Sequence, residues 1–289
     1  MNTAVINPDW MEPMMPPEEG QRRLEDAAFD LVSHASSLAG QISPIVTASI
    51  GTLVRSMNCY YSNLIEGHDT HPRDIDKALR RDYSAEPAQR ALQLEAVAHI
   101  EVQQAIDEGR DDPAFPASLP YVLWLHREFC SRLPDELLWV EDPESKMRAH
   151  VCPGKLRDGE VVVGRHLPPE AAALPSFLDR FEQAQAPAHL SKMRQVIAVA
   201  AAHHRFVWIH PFFDGNGRVV RLMSHAMLKR LGVGSSLWSV ARGLARNVGN
   251  HKALLMAADG PRRNDLDGQL VSANAVWVRA FRALAFAAS

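Results

Sequence analysis

Residues 210–221 read HPFFDGNGRVVR, and no other segment of the chain is as informative. An apolar segment ends near Trp208 and an amphipathic run begins at Val219, so the pattern predicts a helix, a loop and a second helix. Gly215 and Gly217 allow backbone torsions that other residues avoid, so successive N–H groups can converge on one anion where the second helix begins. The helix N-terminus adds partial positive charge. The segment therefore predicts a phosphate-binding loop.

Five polar side chains of this segment extend the prediction. Asn216 can donate from its amide, and Arg218 and Arg221, three residues apart, can clamp further phosphates. Asp214 would repel phosphate unless a cation stood between them, which predicts Mg²⁺. His210 is the one group here that can take up a proton near neutral pH, which makes it the candidate general base. A DGNG turn or a histidine beside proline is usually structural when it stands alone, but the combination favours a polyphosphate site.

The segment resembles the Fic family motif HPFx(D/E)GNGRxxR and matches it at every fixed position. Members of this family are helical proteins that mostly transfer AMP from ATP to a hydroxyl of a target protein. The resemblance covers roughly residues 45–260, and it implies that His210 is the base, Asp214 the Mg²⁺ ligand and ATP the substrate. The residues implied for the α- and β-phosphates are Gly215, Asn216, Gly217 and Arg218, and Arg221 is implied for the γ-phosphate.

Residues 62–67, Ser-Asn-Leu-Ile-Glu-Gly, match the (S/T)xxxE(G/N) element of the N-terminally inhibited class of Fic proteins. By resemblance, the element that begins at Ser62 places Glu66 in the active site, where it pairs with Arg221 and takes the γ-phosphate position. These six residues alone would favour a solvated glutamate at a helix end closed by Gly67. The phosphate-binding segment reverses that preference, and in some relatives the equivalent glutamate also supports removal of AMP.

Two further site predictions concern the target and the nucleoside. The cluster Val161, Val162 and Val163 follows the turn signal at residues 158–159 and predicts a β-hairpin, which lies where the family places its target-docking flap. His251 stands where related sequences commonly place a tyrosine that holds the nucleoside. An imidazole can stack on adenine or hydrogen-bond with it, so His251 is assigned to the ATP site while the choice of base stays open.

The rest of the sequence predicts an all-α fold with a short β-hairpin flap and an N-terminal helical extension. Helices are expected at residues 21–38, 45–61, 72–82, 85–108, 118–133, 170–185, 190–208, 216–231 and 269–286. Four prolines near the N-terminus predict an extended arm that has no core and that docks on the body or on a partner. The expected regions are an arm at 1–20, an N-terminal helical region at 21–110, a Fic core at 111–260 and a C-terminal helix at 261–289. Relatives often continue into a winged-helix segment, so truncation of a longer protein stays open.

Composition narrows the class of protein. The 289 residues carry a formal net charge of −3, which gives no overall basic field for nucleic acid or anionic lipid. No apolar run reaches the about 20 residues of a membrane span, and the N-terminus lacks the regions of a signal peptide, so a cytoplasmic protein is expected. The three cysteines are widely spaced and suggest neither a disulfide framework nor a zinc site.

The favoured function is an autoinhibited, Mg²⁺-dependent protein adenylyltransferase whose partners are ATP and an unidentified target protein, and which also modifies itself. A homodimer is compatible with this interpretation. Two alternatives stay open: an enzyme that mainly removes AMP or uses another nucleotide or phosphodiester donor, and a non-catalytic module that senses nucleotide. The presence of His210, Asp214 and both arginines argues against the sensor, since a sensor has no need of a base.

Overall fold

The structure is a computed structural model, and it describes residues 8–16, 22–68, 70–141, 146–164, 166–233 and 239–258. The α-helices within these residues are α1 Arg22–Gln41, α2 Pro44–Glu66, α3 Pro72–Leu79, α4 Pro87–Asp107, α5 Leu119–Cys130, α6 Leu174–Gln185, α7 Lys192–Ile209, α8 Asn216–Arg230, α9 Val240–Ala245 and α10 Val248–Ala258. Short 3-10 turns lie at Pro8–Met11, Asp135–Leu137, Ala171–Ala173 and Pro187–His189. Strand β1, Trp139–Glu141, pairs antiparallel with β2, Arg148–His150. The predicted helical fold class with a small antiparallel sheet is confirmed.

Helix α8 is the centre of the fold. It contacts α2, α4, α5, α7 and α9, and nearly all of its side chains are buried. Helix α7 lies against it and carries a run of small and apolar buried side chains at residues 196–202, which lets the two helices approach closely. The N-terminus of α8 is therefore enclosed by α2, α4 and α5, and it is the end that carries the glycine-rich loop.

The sequence specifies where α2 ends. Ser43 caps its first turn by accepting a hydrogen bond from the Val46 N–H, and Gly67 closes the helix in the left-handed region with φ of 85°. The N–H groups after the last turn bond back to the carbonyls of Asn63 and Leu64. This closure fits the glycine that ends many helices and makes Glu66 the last helical residue.

Two predictions about individual segments are wrong. The paired strands lie at β1 and β2, whereas the cluster Val161–Val163 contributes a single antiparallel bridge between Val163 and His166. Residues 157–164 form a loop, and the side chain of Arg157 ties it to the carbonyls of Gly159, Pro169 and His210. The N-terminal arm is also not without a core, because Met11 and Met14 are buried in the main apolar cluster.

Charged side chains fix the arm to α6 and α7. Arg180 donates from Nε to the Glu12 carboxylate at 2.6 Å, and Arg205 donates to the Pro13 carbonyl at 3.0 Å. Helices α9 and α10 were not expected from the sequence, and the helix predicted at 269–286 lies outside the described residues. The region boundaries near residues 20, 110 and 260 stay predictions.

Within the described ranges, no single helix has the length and apolar character needed to cross a membrane. Among the same residues, α1 and α2 would reach that length and apolar character only when taken as a pair, and the two helices are bent by 107° where they meet.

Candidate active site

The loop between α7 and α8 is shaped by its own side chains. His210 ends α7 in the left-handed region, with φ of 49°, while its N–H still bonds to the Phe206 carbonyl at 3.0 Å. Asn216 donates from Nδ2 to the Phe212 carbonyl at 2.8 Å and accepts from the Phe212 N–H at 3.0 Å. These two bonds use the Asn216 amide inside the loop. Its main-chain N–H, at the first turn of α8, is then the donor that faces an anion.

His126 on α5 packs against the loop between α7 and α8. Its ring stacks on Phe212 with centroids 3.8 Å apart and an interplanar angle of 6°, and its Nδ1 accepts from the Gly154 N–H at 2.9 Å. Burial lowers the pKa of His126 to about 4, which keeps the ring neutral at pH 7. A histidine in an apolar helix gives no sign of this role in the sequence.

Arg221 is bound on two sides by α2. It donates from Nε to Ser62 Oγ at 2.7 Å and from Nη2 to Glu66 Oε1 at 2.5 Å. Ser62 is buried, and the exposed fractions of the Arg221 and Glu66 side chains are 6% and 32%. The structure thus brings together three predicted residues, two of which lie 155 and 159 positions from Arg221 in the sequence.

The Glu66 carboxylate occupies the concave side of the glycine-rich loop. A Cβ built on Gly217 would lie only 2.1 Å from Glu66 Oε1, and the next nearest atoms are Arg221 Nη1 and Glu66 Cδ, both at 3.1 Å. Burial alone would raise the pKa of Glu66, but the charges of Arg221 and Arg218 outweigh it and hold this pKa at about 2. An anionic group therefore already lies where the loop and the first turn of α8 favour negative charge.

Arg218 has a different carboxylate partner, which the sequence did not reveal. Its Nη2 lies 2.5 Å from Glu95 Oε2 on α4 and 3.1 Å from Nδ1 of His68, the residue that follows the Gly67 cap. His68 Nδ1 is in turn 3.2 Å from Glu95 Oε2. Nothing in the amphipathic pattern of α4 distinguishes Glu95 from its other polar residues, because only the packing of α4 on α8 creates the contact.

His210, at the end of α7, has a neutral ring. Burial lowers its pKa to about 4, although the Val207 carbonyl opposes this shift, so its ring is neutral at pH 7. Arg157 holds the neighbouring backbone, since its Nε donates to the His210 carbonyl at 2.9 Å and its main-chain N–H donates to the Pro211 carbonyl at 2.9 Å. The same guanidinium binds the carbonyls of Gly159 and Pro169, which ties the 157–164 loop to the end of α7.

The remaining predicted residues lie around this centre. Asp214 is exposed beside the N-terminus of α8, and its charge acts on Arg218. His251 is buried on α10, and its ring lies edge-on to His203 at 6.4 Å. Burial, with a contribution from the Arg221 charge, lowers the pKa of His251 to about 4. Val162, by contrast, points to solvent with 64% of its surface exposed.

Asp214 is a single carboxylate, and no cluster of three or more His, Cys, Asp or Glu side chains suited to a metal occurs among the residues that the structure describes. A lone carboxylate fits an ion whose other ligands are phosphate oxygens and waters, which is the usual form of Mg²⁺ at nucleotide sites. The donor set therefore fits Mg²⁺ brought with a nucleotide and does not suit an ion bound by protein alone.

Comparisons with known proteins agree with this geometry. Residues 116–228 match the Fic/DOC family. The proteins named protein adenylyltransferase Fic from Drosophila erecta and Drosophila ananassae are 40% and 41% identical to this chain over 132 residues. The match covers 45% of this chain and 26% of each relative, so the shared region is about a quarter of the length of these curated relatives.

Solved structures show the same fold. A Fic domain containing signaling protein from Bacteroides thetaiotaomicron has a TM-score of 0.64 at 20% identity, over 91% of this chain and 95% of that chain. A Fic family protein from Desulfovibrio desulfuricans G20 has a TM-score of 0.62 at 17% identity, over 89% of this chain and 73% of that chain. The motif at residues 210–221, the helices that enclose it and these similarities lead to one conclusion: residues 116–228 of the chain match the Fic/DOC family, and the fold around them is that of Fic proteins.

Proposed function

We propose that the chain is an autoinhibited protein adenylyltransferase, which transfers AMP from ATP to a hydroxyl of a target protein and of itself. The names of the curated relatives support AMP transfer. The observation that carries the inhibited state is the position of Glu66, whose carboxylate lies over Gly217 and 2.5 Å from Arg221. A γ-phosphate at Arg221 and the Glu66 carboxylate would need the same space.

The transfer step follows from the positions of the loop residues. His210, neutral at pH 7, accepts the proton of the target hydroxyl, whose oxygen forms a bond to the α-phosphorus of ATP. The bond between the α-phosphorus and the bridging oxygen breaks, and pyrophosphate leaves with that oxygen. The N–H groups of the loop, together with Arg218, stabilise the charge that develops on the phosphates. When bound, Mg²⁺ held by Asp214 and phosphate oxygens would neutralise part of the pyrophosphate charge.

The exposed 157–164 loop supports binding of a target segment. Val163 and His166 exchange both of their main-chain hydrogen bonds with each other, and the neighbouring Val162 is exposed beside the loop that carries His210. An extended target segment could add to this edge through its main chain and bring its hydroxyl to His210. His251, on the Arg221 side of the site, is the residue that we assign to the nucleoside.

Removal of AMP is the second candidate, because the same ionised Glu66 carboxylate lies at the phosphate site and could accept a proton from an attacking water. One experiment separates the two. The wild type, Glu66→Gly and Glu66→Gly with His210→Ala are incubated with a cell lysate and ATP labelled on either the α- or the γ-phosphate.

AMP transfer requires the α-label, but not the γ-label, to enter protein, most strongly for Glu66→Gly and not at all for the double variant. Loss of label from modified protein on addition of wild type, but not of Glu66→Gly, would favour removal. Binding of ATP without any incorporation by any variant would refute transfer and favour a nucleotide sensor.

A further inference from the structure

The two arginines of the motif are each paired with a carboxylate, but in different ways. Arg221 is held by Glu66 and Ser62 from α2, whereas Arg218 is held by Glu95 from α4. Both pairs have the same separation of 2.5 Å. The Glu95 side chain is 15% exposed and that of Arg218 only 5%, so this pair lies deeper than the one formed by Glu66.

Only one of the two carboxylates fills the phosphate-binding concavity. The three atoms nearest to a Cβ on Gly217 belong to Glu66 and Arg221, and none belongs to Glu95. Glu95 instead bonds to Arg218 and His68. A nucleotide phosphate over Gly217 would therefore have to displace Glu66 but not Glu95.

The guanidinium of Arg218 is oriented on two sides. Its Nη2 donates to Glu95 and lies 3.1 Å from Nδ1 of His68. Its Cζ lies 5.2 Å from the centroid of the Phe129 ring, which supports one face. The buried Nε has no hydrogen-bond partner among the described residues. Glu95 and His68 therefore leave the Nε N–H of Arg218 unused, while the ring and the carboxylate fix the plane of the group.

The positive charge of the buried Arg218 guanidinium is a reason for Glu95 to stay paired with it. Burial alone would lower the pKa of Arg218, but nearby carboxylates, Glu95 foremost, raise this pKa above its ordinary value. A buried cation that loses its counter-ion turns toward another anion or toward water. The charges of Asp214 and Glu66 also act on Arg218 and would compete for it.

We infer that Glu95 is a positioning residue for nucleotide binding, which neutralises Arg218 and orients it toward the phosphates without occupying their site. This inference rests on the proposed function and extends it to a residue on α4. It gives the two carboxylates opposite effects: removal of Glu66 should strengthen ATP binding, and removal of Glu95 should weaken it.

The test measures binding of pyrophosphate and of ATP with Mg²⁺ by calorimetry, in a Glu66→Gly background that opens the site. We expect Glu95→Ala to raise the Kd of both ligands about tenfold, because this is the change for the loss of one charge-assisted hydrogen bond. Glu95→Gln should raise both Kd values less. The KM for ATP should rise by the same factor, and kcat should fall as well, because Arg218 also stabilises the charge that develops during transfer. Glu101→Gln is the matched control, because Glu101 lies on the same helix but pairs with Arg132 at the surface at 2.9 Å.

A double-variant cycle separates positioning from a general defect. In Arg218→Ala, the further change Glu95→Ala should leave both Kd values where they are, since the group that it orients is gone. An unchanged Kd in Glu95→Ala would overturn the inference, and a lower Kd would make Glu95 a second block on Arg218 instead. A Glu66→Gly protein that binds pyrophosphate and ATP but transfers no α-label would refute the proposed transfer alone, and the Kd values would still decide the role of Glu95. A Glu66→Gly protein that binds neither ligand would overturn both proposals.

Discussion

Replacing Glu66 by glycine tests the contact on which the proposed regulation depends. The change removes a carboxylate 2.5 Å from Arg221 Nη2 and clears the space in front of Gly217. It leaves the second bond of Arg221, to Ser62 at 2.7 Å, in place. Because Glu66 is the last residue of α2, a glycine there disturbs little of the helix.

The size of the effect follows from the type of bond. A charge-assisted hydrogen bond contributes about 1.5–3 kcal/mol net, so the open state should be populated about 10- to 150-fold less than the closed one. With a pKa of about 2, Glu66 stays ionised across the neutral range, and this factor should not change between about pH 6 and pH 8. Glu66→Gly should therefore raise self-modification by about 10- to 150-fold at limiting ATP.

The assay is incorporation of α-label at several ATP concentrations. Leu64→Gly is a suitable control, since it places a glycine in the same turn of α2 at a side chain that is 38% exposed. In an Arg221→Ala background, removal of Glu66 should bring little further activation, because the clamp that it releases is gone. Unchanged or reduced incorporation by Glu66→Gly at limiting as well as saturating ATP, with Mg²⁺ present, would refute the reasoning and make residues 62–67 an ordinary helix end.

Three other predictions follow from the same geometry. His210→Ala in the Glu66→Gly background should lower transfer by about 10²–10⁴-fold with little change in the Kd of ATP, and near-normal rates would refute its role as base. Val163→Pro removes the N–H that bonds to the His166 carbonyl at 3.0 Å, so modification of targets should fall more than self-modification; equal losses would indicate a folding defect. Burial lowers the pKa of His99 to about 3 and of His126 to about 4, so the unfolded chain binds more protons than the native one as the pH falls below about 6.5. Stability should then fall by about 1.4 kcal/mol per histidine between about pH 7.5 and pH 5.5 in denaturant titrations, and a flat profile would contradict this.

Local sequence accounts for the parts of the site that lie on one segment. The helix, loop and helix around residues 210–221 follow from apolar periodicity and two glycines. The ends of α7 and α8 in the structure lie within a few residues of the predicted ends. The end of α2 at Gly67 is equally local. The predicted strand at Val161–Val163 failed because β-branched residues favour an extended chain but do not supply a partner strand.

Contacts between distant segments could not be read from periodicity. The approach of Glu66 to Arg221 was expected only through a family resemblance, since 155 residues separate them. Glu95 and Arg157 had no such guide, and their roles depend on how α4 and the 157–164 loop pack against α8 and the end of α7. Docking of the N-terminal arm was expected only as one of two possibilities, because its prolines predict an extended chain but do not show that Met11 and Met14 are the side chains that enter the core.

Under the proposed autoinhibition, the two pairs together explain how the closed site can stay close in free energy to an open one. Each buried guanidinium has its own carboxylate, so the charges at the N-terminus of α8 are balanced while Glu66 is in place. Exchange of Glu66 for a γ-phosphate keeps an anion beside Arg221, and Arg218 retains Glu95 throughout. Activation then requires movement of only the Glu66 carboxylate at the end of α2. It never leaves an arginine buried without an anionic partner, a state that would cost several kcal/mol. A trigger of modest free energy acting on α2 is sufficient for such a device.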